Sequence, residues 1–560
     1  MPSSKSAPHF ALLLIGLCGS SGLWACSGVL DHPSGTGTGG STGSGTSGTT
    51  GTAAGSGSGG SASPGTAGTN GAGTAGTGAS GRGGSGAAGT SATGTGNAGG
   101  SGTAGTGTAG TGSGTAGTTG SAGTTGKGGT GGGGAGGTPL TRGPTPASNG
   151  TNFPFPQNRQ MAACIYPTAY DNNDVMNAYT KWKADLVTSN GAGGFQRVQR
   201  TSTDGVNANT PLNATVSEGI GYGMIIAVYM GDHTLFDNLW KYEQLHLDPN
   251  GLMNWSIDAS GNTTSSGGMQ LGGGAATDAD EDIGWALVMA DKQWGSAGAI
   301  NYASAALKQI QAIWNHEIYS SKLAGPGDSW GPTNLFNDVN VSYFAPAYYR
   351  LFKQIDTDTT HAWDAVTQTV FDTIFCDKSG MMFCNVLSTT NKNTTNGLVP
   401  GWATNTGGMS TAGPYYYQYD ACRTPFRIGV DWCLNSAAAS SAPAAINPSR
   451  GQQYVALTSS FFSNVGVPNI VDGYNMDGSV NSSAHTVSQG QSAAFIGPAG
   501  VGAMNSASNQ TFLNAAYTAV KTNNLLVGGA YYEESWTVMS LLMMTGNFLD
   551  YTKQSPYIGP

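Results

Sequence analysis

An all-α domain of about 400 residues, preceded by a disordered Gly/Ser/Thr-rich segment, is the fold class that this sequence predicts. Three observations carry it. Residues 34–137 are almost wholly Gly, Ser, Thr and Ala, in repeats such as GTAGT that offer no packable face. Beyond residue 156, apolar residues recur at helical spacing in ten stretches. Strand patterns are few and short. An α/α arrangement of helix hairpins in a ring fits that count.

In chain order, residues 1–26 read as an export signal, with Lys5 at the charged end and an apolar run from Phe10 to Leu17. That run is shorter than the about 20 residues of a membrane-spanning helix. Leu23-Trp24-Ala25-Cys26 resembles a bacterial lipobox, which implies lipid on Cys26 and a cell-surface, outer-membrane or secreted location. Trp24 departs from the small residue usual there, so ordinary signal cleavage stays open. Residues 27–150 form the linker; a flexible coil of about 100 residues has an r.m.s. span of roughly 50–60 Å. Proline-punctuated residues 138–156 mark the boundary, and the folded domain is expected over 151–560.

The ten helices are expected at 174–186, 218–229, 282–293, 302–318, 341–355, 363–374, 424–434, 451–462, 510–520 and 533–544. Export permits disulfides. Cys164, Cys376, Cys384, Cys422 and Cys433 then remain, an odd set with Cys376–Cys384 as the local candidate pair.

Charge narrows the partners. Lys+Arg 22 against Asp+Glu 31 gives a net charge of -9, which argues against nucleic acid or an anionic membrane face. The seven histidines are scattered, with no pair at ligand spacing, so neither a metal nor another cofactor is expected. Gly327-Asp328-Ser329-Trp330-Gly331 matches a serine-hydrolase elbow in letters only, because that motif needs a strand before it and a helix after it and here Gly-Pro lies on both sides.

Three stretches could carry chemistry. In the first, Asp278, Asp280, Glu281 and Asp282 crowd the start of a helix that Thr277 could cap. Asp280 and Glu281 are accounted for equally well as mere helix starters; Asp278 less so. The second is Ser217-Glu218-Gly219-Ile220-Gly221-Tyr222-Gly223-Met224, where three glycines interrupt the first helical turns. Each costs about 1 kcal/mol relative to Ala, so a close approach is expected there. Glu218 is a candidate acid, or a capping partner of Ser217. In the third, Asp420 and Arg423 lie three apart and adjacent on a helix. A guanidinium keeps a carboxylate ionised, as a base requires, though a structural ion pair reads the same. Trp255, Trp330, Trp402, Tyr415, Tyr416, Tyr531 and Tyr532 punctuate Gly/Asn/Ser-rich loops, where aromatic rings can stack on sugars. Trp255 and Trp330 are the foremost of these.

Taken together, these stretches resemble glycoside hydrolase family 8. The match runs from Phe153-Pro-Phe-Pro-Gln157 through Ala276-Thr-Asp-Ala-Asp-Glu-Asp-Ile283, Gly251-Leu-Met-Asn-Trp255 and Ser342-Tyr-Phe-Ala-Pro346 to the stretch beginning Glu533-Glu-Ser-Trp. Gly284 stands where the family usually has alanine, and Pro400-Gly401-Trp402 where it more commonly has Pro-Asp-Trp. The resemblance implies an (α/α)6 barrel with an open substrate cleft and inverting hydrolysis. By motif, Glu218 would protonate the glycosidic oxygen, Asp420 would activate water, and Asp278 would hold the sugar at the cleavage point. Tyr419 and Arg423 would orient Asp420 and keep it charged. Tyr531 and Tyr532 would bind substrate with Trp255 and Trp330. Arg423 beside Asp420, with no cation near Glu218 in sequence, leaves Glu218 the better placed for a raised pKa.

The implied substrate is a β-1,4-linked polysaccharide or oligosaccharide. An endo-1,4-β-glucanase acting as a monomer is the expectation, with endo-1,4-β-xylanase as runner-up; Asp420 points away from the chitosanase branch. An inactive surface carbohydrate-binding protein is the alternative of another class, but it would be expected to lose an acid, and all three carboxylates are present.

Overall fold

The computed structural model describes residues 150–201, 207–330, 338–375, 386–410, 412–482, 492–522 and 530–556, with the side chain of Trp330 outside that description. Cys26, the export signal, residues 27–149, and the pair Cys376 and Cys384 also lie outside it. Among the described residues are twelve α-helices. They are α1 (Asn172–Leu186), α2 (Ser217–Met230), α3 (His233–Leu245), α4 (Thr277–Trp294), α5 (Tyr302–His316) and α6 (Pro346–Ile355), followed by α7 (Trp363–Phe375), α8 (Thr424–Asn435), α9 (Ser449–Val465), α10 (Ala493–Ala503), α11 (Gln510–Val520) and α12 (Tyr531–Met544).

The helices alternate between two roles. The even-numbered ones pack in a closed ring, α2 on α4, α4 on α6, α6 on α8, α8 on α10, α10 on α12, and α12 back on α2. Each odd-numbered helix lies outside against its ring partner: α1 on α12, α3 on α2, α5 on α4, α7 on α6, α9 on α8 and α11 on α10. That is the (α/α)6 barrel. Composition explains the sorting. Every residue of α10 and α12 is buried, as are all but the last of α2; past the polar first turns of α2 and α12 these helices are predominantly apolar, which suits them to the inside. The outer helices α1, α3, α5, α9 and α11 bury one stripe each; in α5 it is Tyr302, Ala306, Gln309, Ile310 and Ile313.

The glycines of α2 do mark a close approach. A Cβ on Gly221 would lie 3.0 Å from Asp282 Cβ and 3.1 Å from the Ala279 carbonyl, so α4 crosses α2 where no side chain intervenes. The ten expected helices all occur, but α3 and α10 are additions. α10 (AAFIGPAGVGA) carries three glycines and Pro498, residues that argue against a helix in isolation. Packing overrides them: a Cβ on Gly497 would meet Ser540 Oγ of α12 at 2.4 Å. The caps also differ from expectation. Thr277 is inside α4, whose cap position is Ala276, and Val216 caps α2; neither makes a side-chain cap bond.

Short antiparallel ribbons precede the inner helices. Thr215–Val216 pairs with Ser256–Ile257 just before α2, and Asp338–Asn340 pairs with Trp402–Thr404 before α6. One disulfide, Cys164–Cys433, ties the entry segment to α8 across 269 residues of sequence, and Cys422 is a buried free thiol.

Candidate active site

The starts of the inner helices converge on one arginine. Glu218 is the second residue of α2, Asp278 the second of α4, and Tyr531 the first of α12; Arg423 ends a 3-10 turn (Ala421–Arg423) that leads into α8. Arg423 is wholly buried. Its Nη1 donates to Glu218 Oε2 and to Asp278 Oδ2, and its Nε donates to Ser342 Oγ at 3.0 Å. Nη2 lies 3.6 Å from Asp420 Oδ1, and the Tyr343 ring lies against the guanidinium, 5.0 Å from its carbon. Ser342 is held in turn by Asn340, whose Oδ1 accepts its hydroxyl at 2.7 Å.

This corrects one expectation. Arg423 is not mainly the partner of Asp420 three residues before it; its short hydrogen bonds go to Glu218 and Asp278, which are 205 and 145 residues away. Glu218 therefore does have a cationic neighbour. Its carboxyl is nevertheless pushed up to about 8, because burial outweighs the pull of Arg423 and the nearby Asp278 carboxylate adds to the rise. Tyr531 Oη donates to Glu218 Oε1 at 2.7 Å and opposes the shift.

Asp420 is pushed up less, to about 6. Burial raises it, while Arg423 and hydrogen bonds from Gln418 and Trp402 pull it down. Both bonds fall on Oδ2: Gln418 Nε2 at 2.7 Å and Trp402 Nε1 at 3.2 Å. Oδ1 accepts no hydrogen bond from the described residues. Trp402, expected as a stacking platform, is wholly buried and serves as this donor. Tyr419, expected to orient Asp420, donates its hydroxyl to Asp472 Oδ2 at 3.1 Å, while its carbonyl accepts Tyr532 Oη at 2.6 Å. Gln418 was not foreseen. Its signal in the sequence is only an amide two residues before a carboxylate.

The other acids of α4 are ties between helices. Asp282 grips Arg427 of α8 through two bonds (3.0 and 2.8 Å), Glu281 accepts Tyr349 Oη of α6 at 2.7 Å, and Asp280 accepts Gln309 Nε2 of α5 at 2.9 Å. All are buried, and Asp280 and Glu281, read as possible helix starters, instead bond to neighbouring helices.

Trp255 lies beside the start of α2, where its carbonyl accepts the Ser217 N–H at 2.9 Å. Its indole is 7% exposed and donates to the Leu271 carbonyl at 3.0 Å. The backbone of Trp330 closes a 3-10 turn, Asp328–Trp330, rather than a strand-to-helix elbow. Asp328 there accepts the Ala275 N–H at 2.8 Å and so fixes the approach to α4.

The arrangement can therefore present a protonated carboxyl and an ionised carboxylate together at neutral pH, spaced across one guanidinium. Known proteins place it. Residues 153–546 match the family described as Glycosyl hydrolases family 8. Endoglucanase A of Acetivibrio thermocellus is 38% identical over 387 residues, 68% of this chain and 71% of that one. Endoglucanase 2 of Ruminiclostridium josui is 35% identical over 409 residues, 72% of this chain and 78% of that one. Among solved structures, the apo β-1,3-1,4-glucanase from Paenibacillus sp. X4 aligns with a TM-score of 0.56 at 26% identity, covering 71% of this chain and 98% of that one. With a buried acid pair at the starts of inner helices of an (α/α)6 barrel and a family match along almost the whole described domain, the chain belongs to the glycosyl hydrolases of family 8.

Proposed function

We propose that this glycoside hydrolase is an endo-acting, inverting enzyme that cleaves β-1,4-linked glucan, with Glu218 as general acid and Asp420 as general base. The observation that carries the assignment is the different company of the two buried carboxyls. Burial, with Asp278 nearby, pushes Glu218 up to about 8, whereas Arg423 and hydrogen bonds from Gln418 and Trp402 offset the burial of Asp420, which rises only to about 6. At neutral pH the first holds a proton to give to the glycosidic oxygen, and the second is mostly ionised to take one from water. The lone pairs of Asp420 Oδ1 are the ones left for that proton, since Oδ2 already accepts two bonds. An inverting pair needs about 6.5–9.5 Å between its carboxyls to admit water; here Glu218 is seated on Nη1 of Arg423 and Asp420 faces Nη2. Asp278 holds the sugar at the cleavage point. Trp255, Tyr419, Tyr531 and Tyr532 bind the substrate, as does Trp330, which is proposed from its place in the sequence alone.

Glucan is favoured because the endoglucanase relatives are 35–38% identical over about 70% of the chain, whereas a xylose-releasing oligoxylanase of Paenibacillus barcinonensis matches over 25% of it. Reducing-sugar release from carboxymethylcellulose, barley β-glucan, xylan and chitosan tests this. Activity on the glucans is expected, with kcat/KM falling below pH about 6 as Asp420 protonates and above about 8 as Glu218 ionises. Release from xylan alone would transfer the assignment to a xylanase. Binding without release from any of the four would mean a carbohydrate-binding protein.

We further propose that the chain is exported, acts as a monomer and carries lipid on Cys26, the linker holding the domain off the membrane. The Cys164–Cys433 disulfide supports an oxidising compartment. Cys26→Ala is expected to move activity from the membrane fraction to the medium; an unchanged distribution would remove the anchor from the proposal.

A further inference from the structure

The general base is gripped twice by one side chain. Gln418 Nε2 donates to Asp420 Oδ2 at 2.7 Å, and Gln418 Oε1 accepts the Asp420 backbone N–H at 3.0 Å. Only this orientation of the amide satisfies both groups, since a carboxylate needs a donor and an N–H needs an acceptor. Gln418, Asp420 and Trp402 are all at most 1% exposed, so solvent cannot substitute for these bonds.

The amide fits because residue 401 has no side chain. A Cβ on Gly401 would lie 2.4 Å from Gln418 Nε2 and 3.2 Å from Asp420 Cβ. The backbone of Gly401 is not in the positive-φ region, so an alanine there would meet a steric conflict rather than backbone strain. The neighbouring residue, Trp402, supplies the second donor to Oδ2. The loop residues 401–402 and Gln418 thus enclose one oxygen of Asp420 and turn the other toward Arg423 Nη2, 3.6 Å away.

We propose that Gln418 and Gly401 act as a coupled pair that aims and tunes the general base: the glutamine amide fixes the Asp420 carboxylate, and the glycine makes the space in which that amide can sit. Gln418 is a positioning residue, acting through Asp420. The inference rests on the assignment of Asp420 as base.

The test uses the full chain with Gln418→Leu, Gly401→Ala and the double variant, on barley β-glucan across pH. Leucine keeps the bulk as far as the amide carbon and removes both bonds. Losing a hydrogen bond to the charged form raises a carboxyl pKa, so the acidic limb of kcat/KM should move up by about one pH unit. kcat should fall about 10–100-fold through misaimed attack, with KM within about threefold. Gly401→Ala, which pushes the amide aside, should move the same limb in the same direction. The double variant should lose less than the product of the two single losses, because removing the amide relieves the 2.4 Å conflict and leaves the added methyl only its 3.2 Å approach to Asp420 Cβ. An unmoved acidic limb in both single variants, or additive losses in the double, would overturn the pairing. If Gln418→Leu does not fold, the limb of Gly401→Ala decides alone. Asp420→Asn separates the two levels. If it retains activity, the base assignment itself fails; if it is inactive while the limb of Gln418→Leu is unmoved, only the pair fails.

Discussion

Glu218→Gln is expected to lower kcat on an unactivated glucan by about 10²–10⁴-fold, the usual contribution of a positioned general acid. The amide keeps the size of the carboxyl and can still accept from Tyr531, which donates to Oε1 at 2.7 Å. What it cannot do is release a proton to a leaving alkoxide. Two further readings follow from that cause. The alkaline limb near pH 8 should disappear, because the group whose ionisation produces it is gone. A substrate whose leaving group needs no proton, such as a glycosyl fluoride, should lose much less rate. A variant that keeps the alkaline limb would take the acid role away from Glu218.

Arg423→Met should cost the most stability of any single change at the site, about 3–5 kcal/mol, because it leaves buried carboxyls without their cation. Arg423 is fully buried and bonds Glu218, Asp278 and Ser342, so the loss reaches α2, α4 and the approach to α6 together. Asp420 loses the cation that pulls its carboxyl down, so the acidic limb of any residual activity should rise above about 6. Arg423→Lys restores the charge but not the fork, which can no longer reach carboxylates on two sides, and should fall between wild type and Met in denaturant midpoint. Equal midpoints for wild type and Arg423→Met would show that the carboxyls are neutral without the arginine.

The two experiments probe parts of the site that differ in how visible they are in the sequence. Glu218, Asp278 and Asp420 are legible because each sits at or just before a helix start, where a short local pattern encodes the position. The company they keep is not. Arg423 finds Glu218 only after α2 and α8 take their places in the ring, and a spacing of three suggested Asp420 instead. Tyr531, expected as a substrate-binding ring, donates to Glu218 from 313 residues away. Among the helices, α10 is hidden by its glycines and proline, whose cost is visible locally while the packing that offsets it is not. α3 is a different matter: Leu235, Phe236, Leu239 and Tyr242 recur at helical spacing behind an Asp232 cap, so its pattern was available to be read.

The ring's closure of α12 on α2 bears on how this enzyme comes to be active. A chain leaving the ribosome completes α2, with the acid, long before it reaches Arg423 and Asp420, and the tyrosine that holds the acid arrives only with the last helix. No contiguous fragment that stops short of α12 contains Glu218, Asp278, Asp420, Arg423 and Tyr531 together. Such long-range closure is slow to form. Recovery of hydrolysis then reports the final seam of the barrel rather than its earlier assembly.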